Sequence, residues 1–571
     1  MMPTVSCVLA LLATSVSVSA APAKVPPFYM QRIYEYDTCD PKVWTAYLKG
    51  WKENPGSCDE VWFCTPFVNL PLDYHRKIAA SQARAARQLR EMGIEPGLEI
   101  GTCIGHGDQC LVLPPDCRET HRDWGGWVGP QGIEDQHCNC PRDPRFAAHL
   151  EEMGRIYASY HPSSIWFDDD LRLLNHKPAT DNTLATCGCF CDRCLSLFSR
   201  ETGRSWTRGG LAAELKDGNA ELHRTWTAFC IRGLVDIVSR VSRAVHIVSP
   251  ETRICSQHGL LLCEEAQTEI YRAMYEATGN KVGGRFGGGA YRDHDPHEQI
   301  EKAYEEMRQR GCLQKVSDII FQTCPEIESW PRTFGCRTAH GVILEALEAI
   351  ALGCDSVSLF VMNPARDPVE WYVDEFFVSL ARNRACLKGL VEAGKGTVPA
   401  GIFVDGTPKW TEACAGLALV SGYGKAYGRL PDLLRSADGA ELDIRTASAG
   451  DVRAWYARAD ELSGGRFPVL PERAVQAFVV PRVTESGVLK AVALVNTTID
   501  RMKPLKLRLR GVDPSVDKAR WHALESEAVG LAVERVGTDA FVTIPGLSAW
   551  NGGWLDVSAA GKGLTQGTDS A

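Results

Sequence analysis

Ser163-Ser164-Ile165-Trp166-Phe167-Asp168-Asp169-Asp170 is the stretch from which the fold is read. It starts polar, turns apolar for three residues and ends in three carboxylates. A short apolar run of this kind, ending in charge, suits a strand inside a parallel sheet whose carboxyl end opens on a polar site. Alternation along the strand puts Asp168 and Asp170 on one face and Asp169 on the other. Crowded carboxylates repel, so at least one is expected to hold its proton, as a general acid requires. A solvated acidic turn or an oxygen-ligand cation site would use the same residues.

Working outward, short apolar runs alternate with helical patterns from about residue 30 to 390, which signals repeated βα units. Eight strands are expected at Gln31 to Tyr36, Glu60 to Cys64, Gly97 to Cys103, Ser164 to Asp170, Arg253 to Gln257, Lys281 to Phe286, Asp318 to Cys324 and Ser356 to Val361. Helical periodicity fills the gaps at Tyr74 to Met92, Arg145 to Tyr160, Leu222 to His246, His297 to Gln309 and Ala339 to Leu352. The expected fold is α/β, a (β/α)₈ barrel with its chemistry at the carboxyl ends of the strands. After residue 392 short alternating segments take over, at Val475 to Val480, Lys490 to Val495, Leu505 to Arg510 and Phe541 to Ile544, predicting a β-rich, sandwich-like domain over 471–558. Residues 22–392 are then the barrel, 393–470 a small intervening module and 559–571 a tail.

The 571 residues, 44% hydrophobic and 23% charged, belong to an ordinary globular chain. A net charge of -9 provides no footprint for nucleic acid or an anionic membrane. Residues 1–21 have the apolar stretch Val8 to Ala13 and small residues Val18-Ser19-Ala20 of a signal peptide, cut after Ala20 or Ala21, so the mature chain is expected in a periplasm or outside the cell. No later stretch reaches the ~18 apolar residues of a membrane span.

Twenty-two cysteines include Cys7 in this leader, so an odd number remain. Cys189-Phe190-Cys191-Asp192-Arg193-Cys194 is too tight for three separate bridges and suits a tetrahedral metal, with Cys140 as the fourth ligand. Cys138 or Cys187 substituting for a ligand, a set of disulfides, or an iron–sulfur cluster are the alternatives.

A second acidic site follows the seventh expected strand in Gln322-Thr323-Cys324-Pro325-Glu326-Ile327-Glu328-Ser329-Trp330-Pro331. Glu326 and Glu328 would face the strand-four acids across the barrel mouth, and two opposed carboxyls are the working parts of glycoside hydrolysis. Trp330 offers an apolar face for a sugar ring. His106, Arg172, His176, His258, Arg285 and Tyr291 are the further candidates for holding a hydroxyl-rich substrate.

Cys140-Pro141-Arg142-Asp143-Pro144-Arg145-Phe146, the strand ending Trp166 to Asp170, and the knot Cys189 to Cys194 followed by Phe198 together resemble the family 42 β-galactosidases and their clan of retaining (β/α)₈ glycosidases. The likeness covers roughly residues 30 to 390. It implies structural zinc on Cys140, Cys189, Cys191 and Cys194, a glycosidase acting on a glycan such as a β-galactoside, and a trimeric assembly. The family's acid/base glutamate follows an asparagine, and those two positions resemble Asp169 and Asp170. Its nucleophile resembles Glu328, three residues before Pro331, with Glu326 as the fallback. Aspartate at the acid position is one methylene shorter and the asparagine is missing. The expected activity is therefore glycosidic hydrolysis with a shifted geometry, and a carbohydrate-binding pseudoenzyme on the same barrel is the alternative.

Overall fold

Eight short runs rich in β-branched and aromatic residues pair in parallel and in chain order around a closed ring. The strands are β1 Tyr29–Ile33, β2 Glu60–Cys64, β3 Glu95–Ile100, β4 Ser164–Phe167, β5 Arg253–His258, β6 Val282–Phe286, β7 Ile320–Glu328 and β8 Val357–Phe360. β1 pairs with β8 as well as with β2, which closes the barrel. The computed structural model describes residues 26–399 and 468–558, save 102, 106–121, 169, 175–182, 184–185, 259–263, 288, 295, 331–332, 334, 474 and 476. The leader 1–21, the tail 559–571 and all but the ends of the segment 393–470 lie outside the described residues.

The helical periodicities are realised as Leu72–Glu91, Pro144–Ala158, Ala220–Val248, Pro296–Cys312 and Ala339–Ala351. Their apolar stripes pack on the outward faces of the strands, with Leu150, Met153, Leu234, Val241 and Leu347 in one continuous core. Inside the ring a separate apolar layer forms from Met30, Trp62, Trp166, Cys255 and Cys324. Trp62 and Trp166 stack with centroids 4.3 Å apart. Two glycines make room for them: a Cβ on Gly97 would stand 2.7 Å from Trp62 Cδ1, and one on Gly283 2.6 Å from Trp166 Cη2.

Side chains alternate along a strand, so a step of two toward the carboxyl end reaches the next inward layer. From Met30, Trp62, Gly97, Trp166, Cys255, Gly283 and Cys324 that step arrives at Arg32, Cys64, Glu99, Asp168, Gln257, Arg285 and Glu326. The middle of the barrel is thus apolar and its upper layer ionic, and the upper layer is the floor of the mouth.

The expected strands and the observed ones agree in number and place, with one consequential difference. β7 does not stop at Cys324 but continues through Pro325, and Glu326, Ile327 and Glu328 pair in register with Ser358, Leu359 and Phe360 of β8. A proline cannot donate to a ladder and so reads as a strand end. The two glutamates therefore stand on a rigid strand and not on the loop after it.

Beyond the barrel's last helix, Val378–Ala393, two antiparallel sheets of six and four strands enclose a second core that includes Val479, Leu494, Leu507, Trp521 and Val542. Thr397–Pro399 pairs with Ala477–Thr484, and Val469–Pro471 with Leu505–Leu509. Both described ends of the 393–470 segment are therefore strands of these sheets. Arg482 joins the two halves: its buried guanidinium donates to the carbonyls of Ile350 and Ala351 at 3.3 and 2.9 Å and to Gly394 at 3.1 Å. Those carbonyls lie at helix C-termini, where Ile350 O also accepts from Gly353 N–H at 2.9 Å and Gly394 O from Thr397 N–H at 3.1 Å, and a cation there complements the helix dipoles.

Candidate active site

The mouth is organised by two buried arginines. Arg32 on β1 makes a bidentate pair with Glu99 on β3, and its Nη1 stands 3.6 Å from Glu328 Oε2 and 3.9 Å from Glu326 Oε1. Arg285 on β6 bonds Glu326 directly and reaches Asp168 Oδ1 at 3.3 Å. Four carboxylates from β3, the end of β4 and β7 are thus drawn around two guanidinium groups. A buried charge persists only when paired in this way, and the planar fork of arginine can serve two carboxylates at once.

The pairing sorts the carboxyls. Burial pushes Glu326 up, but Arg285, Lys302, a hydrogen bond shared with Glu328, and Arg32 more than offset it and hold Glu326 well below the usual carboxylate range. Burial wins at Glu99, whose pKa is raised despite Arg32. Exposure sorts them further: the side chains of Asp168 and Glu328 are 17% and 11% exposed, against 6% for Glu326 and 2% for Glu99. The two carboxyls open to a ligand come from β4 and β7.

Strand alternation fails at Asp170. β4 ends at Phe167; Asp168 N–H still donates to Ile100 O at 3.1 Å, and then Leu171 N–H turns back onto Asp168 O at 3.2 Å. Asp170 is consequently buried in an ion pair with Arg172, itself 2% exposed, and does not share the face of Asp168 in the way an extended strand would require. Asp169, His106 and His176 lie outside the described residues.

His258 is likewise displaced from its expected role. Gln257 points inward, so its neighbour His258 faces the helix layer, where it stacks on Tyr271 at 4.9 Å and Phe286 at 5.5 Å. Burial, with the nearby Arg285 charge, lowers its pKa to about 3, so it is a neutral ring in the core. Tyr291 is half-buried at the rim, its carbonyl accepting from Trp330 N–H at 3.3 Å. Trp330 is 51% exposed.

Behind β7 a second buried network grips the two glutamates from the helix side. Lys302 donates to the backbone oxygen of Glu326, and Arg337 Nε to that of Glu328 at 3.2 Å. Glu345 holds both cations, Lys302 Nζ at 3.0 Å and Arg337 Nη1 in a shorter contact. Arg32, Glu99, Lys302, Arg337 and Glu345 were not singled out by sequence reasoning. Arg32 and Glu99 had a signal, a charge in the middle of an apolar strand. The other three sit on or before helices, where a charge is unremarkable.

Beside the mouth, the hairpin Gly126–Val128 with Glu134–Asn139 delivers Cys140, and the helix Asp192–Thr202 begins on Cys191. The ligand atoms of Cys140, Cys189, Cys191 and Cys194 all lie within 4.8 Å of one another. Cys140 Sγ is 3.6 Å from both Cys191 Sγ and Cys194 Sγ. A tetrahedral ion with metal–sulfur bonds of about 2.3 Å separates its sulfurs by roughly 3.8 Å, so the set fits one ion. Every cysteine among the described residues is unbridged, which removes disulfides as an account of the knot. Hydrogen bonds among the four thiols pull Cys191 far down and, together with burial, push Cys189 and Cys194 up. Gly188 is required beside it: its φ is +95°, and a Cβ there would meet Cys230 Sγ at 2.3 Å. Phe190 N–H donates to Val128 O at 2.7 Å and ties the knot to the hairpin.

No protein-family model and no curated protein sequence matches the chain. Among solved structures, a β-galactosidase from Bacillus circulans sp. alkalophilus aligns with TM-score 0.51 at 10% identity, over 94% of this chain and 100% of its own. An α-L-fucosidase isoenzyme 2 from Paenibacillus thiaminolyticus aligns with TM-score 0.49 at 11% identity, over 93% and 99%. A β-galactosidase from the haloarchaeon Halorubrum lacusprofundi gives 0.46 at 11%, over 91% and 100%. At a tenth of residues identical, the likeness to the first of these establishes a shared fold: a closed eight-stranded barrel followed by antiparallel sheets.

Proposed function

We propose that this chain is a glycoside hydrolase in which Asp168 and Glu328 are the working carboxyls. The observation that carries the reading is that Arg285 and Arg32 draw the end of β4 and the end of β7 into one ionic cluster, with those two side chains its most exposed acids. Arg285 and Lys302 keep Glu326 anionic, which leaves Glu328 and Asp168, the two more exposed acids, to divide the working roles. We assign Glu328 as the donor to the glycosidic oxygen. Asp168, beside the Arg285 guanidinium, is the anionic partner that attacks the sugar or activates water. Asp170 supports the loop through Arg172 instead of giving the proton.

The test uses two leaving groups. Glu328→Gln should lower kcat by about 10²–10⁴-fold on an alkyl glycoside or disaccharide and far less on a dinitrophenyl glycoside, which departs without a proton. Asp168→Asn should abolish turnover of both. Equal, small losses in the two variants would end the assignment. A carbohydrate-binding pseudoenzyme is the second reading, favoured by Arg285 engaging Asp168 and Glu326 together; it predicts sugar binding without turnover by any panel substrate.

We infer that the four thiols hold zinc, as a structural ion that pins the loop after β4 beside the mouth. About one zinc per chain with no visible absorption supports this, and visible absorption would indicate an iron–sulfur cluster. Among the described residues no helix is long and apolar enough to cross a membrane. We place the mature chain in a periplasm or outside the cell on the strength of residues 1–21; an intact N-terminus on the protein recovered from its source would refute export.

A further inference from the structure

The chain leaves β1 as Tyr34-Glu35-Tyr36, and the two tyrosines stand face to face, centroids 5.0 Å apart and planes 9° apart. Tyr34 rests on Phe360, at the end of β8, with centroids 5.1 Å apart. Phe360 in turn lies under the Arg32 guanidinium, 4.3 Å from its ring centre, and Arg32 reaches Glu328. An unbroken run of contacts therefore leads from Tyr36 to the proton donor. Tyr36 is nevertheless 40% exposed. Trp330, 51% exposed, flanks the same strand end from the loop after β7. The described barrel thus presents an exposed aromatic side chain beyond each of the two strands that flank β8, Tyr36 after β1 and Trp330 after β7, the strand that carries Glu328.

The outer tyrosine is fixed before any ligand arrives. Asp37 accepts from Tyr34 N–H at 3.2 Å, and Cys39 N–H donates to Tyr36 O at 2.9 Å, closing a 3-10 turn. With Tyr34 behind its ring, Tyr36 loses little freedom on binding, which is the condition for an exposed aromatic to contribute affinity. A flat, rigid face with a phenol at its edge suits a pyranose, whose C–H face is apolar and whose rim is hydroxylated.

We propose that Tyr36, backed by Tyr34, is a stacking subsite for a second pyranose ring, so that the substrate is an oligo- or polysaccharide running past Glu328 between Trp330 and Tyr36. The proposal rests on the glycosidase reading for the nature of the ligand. Two ring-to-ring spacings of about 5 Å link Tyr36 to Phe360, the register partner of Glu328, a path about as long as one or two sugar units.

Binding and turnover are tested separately. In a Glu328→Gln background, retardation of the full chain is measured in gels containing galactan, xylan or mixed-linkage glucan. Adding Tyr36→Ala should weaken retardation in the binding polysaccharide about tenfold, and Tyr36→Phe should preserve it. In the otherwise unaltered chain, Tyr36→Ala should leave turnover of an aryl monoglycoside unchanged while raising KM for the matching oligosaccharides. Equal retardation with tyrosine and alanine, or no retardation in any of the three gels, overturns the subsite. Tyrosine-dependent retardation without turnover by the unaltered chain would sink the glycosidase reading and leave the subsite standing.

Discussion

Replacing His258 with phenylalanine should make the protein less sensitive to acid, by an amount set by where the ring sits. In the folded chain burial holds its pKa at about 3, against an ordinary 6.5 that the unfolded chain recovers. Between those values the unfolded state binds the proton and the folded state does not, so stability falls as the pH drops below 6.5. At about 1.36 kcal/mol per unit, the histidine costs roughly 2 kcal/mol at pH 5 and roughly 4 kcal/mol at pH 3. His75, also lowered to about 3 by burial, follows the same course but is present in both proteins and cancels. Phenylalanine keeps the stack between Tyr271 and Phe286 and has no proton to bind. Urea unfolding of the two proteins at pH 8 and pH 5 should therefore show the phenylalanine variant gaining about 2 kcal/mol between the two conditions. KM for any glycoside should not move, because the ring faces the helices. Parallel pH profiles, or a changed KM with unchanged stability, would refute the outward placement of this side chain.

Glu345→Leu leaves Lys302 and Arg337 buried without their shared carboxylate, and should cost about 3–5 kcal/mol, read by chemical unfolding. The same change should lower kcat as the backbone grip on Glu326 and Glu328 loosens. Gly283→Ala forces a methyl to within 2.6 Å of Trp166 in the barrel interior and should destabilise the fold by about 1–3 kcal/mol, with Gly530→Ala as the contrast that meets no atom. Cys191→Ser should reduce bound zinc well below one per chain by elemental analysis. Removing the metal with a chelator should lower the Tm of the parent protein and shift the Cys191→Ser variant less.

The eight strands were legible because each is a local property: a few consecutive apolar residues bounded by turn formers and followed by a helical period. The cysteine knot was legible for the same reason, since three of its four thiols fall within six residues and the ligand type fixes their geometry. The readings that changed are those depending on partners distant in sequence. Pro325 reads as a strand end, yet pairing with Ser358 to Phe360 carries β7 on to Glu328. Asp170 reads as the companion of Asp168, yet a turn at Leu171 and a pair with Arg172 turn it away. His258 and Gln257 are neighbours in the chain, and one residue of register separates the barrel mouth from the helix layer.

By itself the sequence determined a barrel of βα units, a four-thiol site on its rim, and acids at the ends of its fourth and seventh strands. Only the closed structure decided which acids meet. Arg32, Glu99, Asp168, Arg285 and Glu326 come from β1, β3, β4, β6 and β7, spread over roughly 300 residues of chain and brought to one layer by closure of the ring. Which side chains enter that layer is settled by strand register and barrel closure, and neither is a property of any single segment.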